Sequence, residues 1–188
     1  MCYREGLPTK IYKITDFMRR IISISILALV VLAGIRLASS NGNEAVNPED
    51  RNAVLQNAVM TGLDGEEVTL SDFAGKTVLI DIWETWCTPC LRSFPTLQKL
   101  MEDFPDDFIV LAVSPGYMDS PEQVREFVEN HDYDFTFVFG EKLAQDLNVQ
   151  SIPFKVYVDP DGQYVESIMG TRGPERDYEK AREIIQRY

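Results

Sequence analysis

Residues 77–83 read Thr-Val-Leu-Ile-Asp-Ile-Trp, apolar or β-branched at nearly every position, behind a turn signal at Ala74-Gly75-Lys76. A run that does not alternate predicts a strand buried on both faces. After a polar break, Leu91, Phe94, Leu97, Leu100, Met101 and Phe104 recur at helical spacing, predicting a helix with one apolar face. Residues 108–114 form the next apolar run, expected to lie parallel to the first strand because a helix connects them. Further on, Ser120 and Pro121 mark the start of a helix over 121–131, with Val124, Phe127 and Val128 apolar. A short strand at 136–139 and a short helix at 142–147 follow. Strands at 154–158 and 163–169 flank the turn Asp159-Pro160-Asp161-Gly162, and a helix at 174–188 places Tyr178, Ala181, Ile185 and Tyr188 on one face. Upstream, 54–60 and 66–70 flank Leu63-Asp64-Gly65 as another hairpin.

The N-terminal pattern is different. Residues 21–35 are small or apolar, interrupted only by Ser23, Ser25 and Gly34, and follow Arg4, Lys10, Lys13, Arg19 and Arg20. The run lies between a signal-peptide core and a full membrane span in length. Its basic flank places the N-terminus in the cytoplasm and the rest of the chain outside. The expected plan is a cytoplasmic segment (1–20), a membrane anchor or signal segment (21–38), a polar linker (39–53) and one folded domain (54–188). The protein is expected to be single-pass, or secreted or periplasmic if the segment is cleaved. Ile35 stands where a lipoprotein box needs its cysteine, so no lipid anchor is expected.

Charge sharpens this division. The net charge of −12 combines six basic and two acidic residues through Ala38 with a strongly acidic remainder. Such a domain repels nucleic acid, and no nucleic-acid partner is expected.

Cys87-Thr88-Pro89-Cys90 stands between the first buried strand and its helix. Unpaired N–H groups and the positive end of the helix dipole favour a thiolate there. Paired cysteines at helix starts have pKa values lowered from about 8.5 toward about 7. A structural disulfide over so short a loop would contribute only about 2 kcal/mol. A zinc site lacks ligands, because only Cys2 and His131 remain and Cys2 lies across the expected membrane segment. Redox chemistry is the leading reading, with no cofactor or metal expected. The aspartates at 159 and 161 read as a turn, and His131 as a helix end in solvent. Asp81, inside the apolar strand, is costly to bury. Desolvation raises its pKa and suits it to accept a proton. Asp81→Asn is therefore expected to slow that step with equal or greater stability.

The Trp-x-x-Trp-Cys-x-x-Cys pattern after a buried strand, with Pro95 five residues beyond Cys90, resembles the thioredoxin fold. More narrowly, the chain is similar to the membrane-tethered TlpA/ResA-like thiol-disulfide oxidoreductases. Residues 70–76 resemble that group's lead-in to the strand, and Ser151-Ile152-Pro153-Phe154 resembles the cis-proline loop. The resemblance implies an α/β thioredoxin-like fold with an N-terminal β-hairpin and a strand-helix insertion. It makes Cys87 the exposed nucleophile, Cys90 the resolving thiol, and Trp86, Ile152 and Pro153 the substrate-binding residues. Two positions depart from the pattern: Ser93 replaces a ResA-type glutamate, and Asp81 is thioredoxin-like where TlpA-like chains often carry asparagine. The activity implied is reduction of protein disulfides, with cytochrome c maturation as one pathway and a membrane thiol-reducing protein as electron donor. An oxidant or isomerase, and a redox-sensing or copper(I)-binding module without turnover, remain alternatives.

Overall fold

The computed structural model describes residues 47–188. The 21–38 segment and most of the expected linker lie outside these residues. Among the described residues no helix is long and apolar enough to cross a membrane.

The first element differs from the sequence expectation. Residues 48–53 are not linker, and 54–56 are not strand, because Pro48–Gln56 forms helix α1. Asn47 caps it by accepting from the Asp50 N–H at 2.8 Å, Pro48 stands in the first turn, and Glu49 and Asp50 oppose the helix dipole. Leu55 anchors the helix in the core. Asn-Pro-Glu-Asp is a helix-start signal legible in the sequence.

Strands β1 (Val59–Gly62) and β2 (Glu67–Thr69) make the first hairpin, followed by a 3-10 turn at Leu70–Phe73. Next come β3 (Thr77–Ile82), α2 (Thr88–Asp103), β4 (Phe108–Ser114), α3 (Pro121–Glu129), β5 (Thr136–Phe139) and α4 (Glu141–Asp146). β6 (Phe154–Val158), β7 (Tyr164–Met169) and α5 (Pro174–Ile185) complete the chain. Ser120 caps α3 as expected, in a reciprocal box with Gln123.

The seven strands among the described residues join one sheet in the order β2-β1-β5-β4-β3-β6-β7. β3 is an interior strand beside the central β4, parallel to β4 and antiparallel to β6. Strand parity sorts its side chains between two cores. Val78, Ile80 and Ile82 pack on one face with Leu55, Leu143 and Ala144 of the helices there. Leu79 and Trp83 pack on the other with Phe94 and Leu97 of α2 and with Ala181 and Ile184 of α5. This is the expected α/β thioredoxin-like architecture, with the hairpin at one edge and the α3-β5-α4 stretch inserted between β4 and β6.

Candidate active site

The cysteines sit where β3 gives way to α2. Cys87 occupies the N-cap of α2, and its sulfur accepts from the Cys90 backbone N–H at 3.3 Å. The first turn of the helix carries no acidic residue, so its positive end is not neutralised locally. Cys87 and Cys90 are joined in a disulfide. Cys90 is fully buried, and Cys87 is only 3 % exposed. The expectation of an openly exposed Cys87 is therefore corrected. It is reached through a groove of about 530 Å³ that it lines with Trp86, Tyr117, Met118 and Ile152.

The same groove brings together Cys87, Trp86 and Ile152 of the residues singled out in the sequence, while Cys90, Asp81 and Pro153 do not line it. Trp86 is 52 % exposed beside Cys87. The Ile152–Pro153 peptide is cis, as the resemblance implied, and Ile152 faces the groove while Pro153 is buried. His131 lies apart: its Nδ1 is 2.7 Å from the Phe127 carbonyl oxygen, and its ring stacks on Phe127.

Asp81 is fully buried, as its strand context predicted, but its partner was not foreseen. Register pairs Asp81 with Lys155 of β6, and parity turns both toward the α2 face of the sheet. Lys155 Nζ lies 3.0 Å from Asp81 Oδ1 and 3.4 Å from the Ser93 hydroxyl, which donates to the Cys90 carbonyl at 2.7 Å. Ser93 thus connects a buried ion pair to the first turn of the cysteine helix. Burial pushes the Asp81 carboxyl above the ordinary carboxylate range, and the Lys155 ammonium offsets this only in part. Asp81 Oδ2 has no hydrogen-bond partner among the described residues. Lysine in an apolar run, Phe-Lys-Val-Tyr-Val, was the available signal, since a charge there needs a partner on an adjacent strand.

Lys155 also overturns the stability expected of Asp81→Asn. An amide at 81 leaves a buried ammonium without a countercharge, so that variant is destabilised rather than neutral or stabilised.

A second carboxylate passed unnoticed in the sequence. Glu84 is fully buried in the turn before Cys87, accepting from the Trp86 indole N–H at 2.6 Å and from the Met118 backbone N–H at 3.0 Å.

A parallel-centred sheet with a disulfide at a helix N-cap and a cis-proline loop across a shared groove defines a thioredoxin-fold redox protein. Comparison with known proteins narrows the class. The AhpC/TSA family model matches residues 52–170, and the chain belongs to that family, among its ResA-like thiol-disulfide oxidoreductases. It is 35 % identical over 111 residues to thioredoxin-like protein YneN of Bacillus subtilis, covering 58 % of this chain and 65 % of that one. Against thiol-disulfide oxidoreductase ResA of Bacillus cereus it is 30 % identical over 125 residues, covering 64 % and 70 %. The structure of a putative thiol:disulfide interchange protein DsbE from Chlorobium tepidum superposes with a TM-score of 0.60 at 26 % identity, covering 68 % of this chain and 89 % of that chain.

Proposed function

We propose that this protein is an extracytoplasmic reductase of protein disulfides, held at the membrane by residues 21–38 and recharged by a membrane thiol-reducing protein. The observation that carries the reading is the asymmetry of the pair: Cys87 lines a groove, and Cys90 behind it is sealed. The Cys87 thiolate attacks a substrate disulfide, forming a Cys87–substrate bond while the substrate S–S bond breaks and the departing sulfur takes a proton. Cys90 then loses its proton toward Asp81 and attacks the Cys87 sulfur, restoring the Cys87–Cys90 disulfide and releasing the second substrate thiol. The substrate gains two electrons and the cysteine pair loses them. Trp86 forms the apolar rim, and the Ile152 backbone beside Pro153 pairs with an extended substrate segment. Cytochrome c maturation is a pathway in which such an activity serves.

Single-turnover assays on a model protein disulfide test this. Cys87→Ser abolishes reduction, Cys90→Ser accumulates mixed disulfide, and the couple's potential lies at about −250 mV or lower, far from the roughly −120 mV of a strong oxidant. Full turnover by Cys87→Ser would refute the mechanism. A potential near −120 mV would instead assign an oxidant.

A further inference from the structure

Glu84 has no task in the steps above, yet its carboxylate is spent entirely on the surroundings of Cys87. Oε2 accepts from the Trp86 indole N–H and Oε1 from the Met118 backbone N–H. Its backbone carbonyl accepts from the Cys87 N–H at 3.0 Å. A reciprocal tie runs from the other loop, where the Asp119 carboxylate accepts from the Thr85 backbone N–H and, at 2.8 Å, from the Thr85 hydroxyl. Two carboxylates thereby fasten the 116–119 loop to the turn that presents Cys87.

What these bonds leave outside is apolar. Trp86 is 52 % exposed, Tyr117 50 % and Met118 72 %, and all three line the groove over Cys87. Among the described residues no lysine or arginine lines it. A bulky apolar side chain gains hydrophobic free energy between such walls, whereas an acidic one loses hydration and finds no countercharge.

We propose that Glu84 is a positioning residue that sets the groove's two apolar walls, Trp86 and Met118, so that the protein selects polypeptide disulfides with a bulky apolar residue beside the cysteine. The proposal rests on the reading of Cys87 as the attacking thiol. Carboxylate chemistry is what the position requires: two N–H groups converge on one side chain, and an amide presents a single acceptor atom with an NH₂ group that only donates. Glutamine at 84 holds one wall at most.

The test follows oxidation of the reduced full chain by stopped flow with three probes. Two are disulfide peptides alike except for leucine or glutamate next to the cysteine, and the third is oxidised glutathione. The wild type reacts at least about 10-fold faster with the leucine peptide than with either other probe, the scale on which apolar pockets discriminate. Glu84→Gln compresses that ratio to below about 3-fold, shifts the Trp86 indole N–H resonance in the NMR spectrum and leaves the Cys87/Cys90 potential unchanged. Met118→Ser, at an exposed position that does not threaten folding, also narrows the ratio. A wild-type ratio near one, or a ratio kept in full by both variants, overturns the proposal. Reaction of Cys87→Ser with the peptides would overturn the assignment of Cys87 instead.

Discussion

Replacing Lys155 by methionine removes the ammonium from a fully buried pair while keeping most of the side-chain volume. At the 3.0 Å separation of Nζ and Oδ1, an effective dielectric of about 20 gives an attraction of roughly 5–6 kcal/mol between unit charges. Desolvation of both ions offsets much of this, so the intact pair stabilises little, but orphaning one partner costs roughly 3–5 kcal/mol. A domain of this size loses about 2–4 °C per kcal/mol, so Lys155→Met is expected to melt at least about 6 °C lower at pH 7.5. The loss depends on pH with a definite sign. Burial holds the folded pKa of Asp81 above its unfolded value, so its contribution to stability is complete below the unfolded pKa, about 3.9, and is lost as pH rises through the folded pKa. Removing Lys155 raises the folded pKa further, and Asp177 and Tyr157, which also act on or feel this carboxyl, supply no positive charge to replace it. The penalty therefore grows from pH 4 to pH 8. In Asp81→Leu/Lys155→Met both ions are gone, and most of the lost stability returns. Urea titrations of the oxidised protein at several pH values measure each quantity. A penalty that is flat with pH, or a double variant as weak as the single, would refute the reasoning.

Packing makes two further predictions. A Cβ at Gly140 would stand 2.5 Å from Val113 Cγ1 and 3.4 Å from Met60 Cγ, so Gly140→Ala is expected to cost roughly 1–3 kcal/mol in urea unfolding through overpacking; an unchanged midpoint would show that the site relaxes freely. Phe94 is fully buried and meets Trp83 and Phe135 in edge-on contacts with centroids 5.0 and 5.1 Å away, so Phe94→Ala is expected to cost roughly 3–5 kcal/mol and to alter the fluorescence of Trp83.

The sequence alone determined what short-range physics controls. The apolar run at 77–83, broken by Asp81, had to be an interior strand, the spacing from Leu91 to Phe104 had to be a one-sided helix, and Ser120-Pro121 had to start another, as each does. It also placed Cys87 and Cys90 at the helix start, and the likeness of Ser151-Ile152-Pro153 to a cis-proline loop located the opposing wall. Helix Pro48–Gln56 is local too, since its capping signal at Asn47-Pro48 stands in the sequence within an otherwise polar stretch. Tertiary structure alone decided the partners. Asp81 and Lys155 are 74 positions apart, and only the β3–β6 register, with the shared parity of the two positions, makes them one ion pair. Glu84 and Met118 meet because β3 and β4 run side by side and deliver their C-terminal loops to the same end of the sheet. The groove over Cys87 is likewise tertiary, since Tyr117, Met118 and Ile152 reach it from segments distant in sequence.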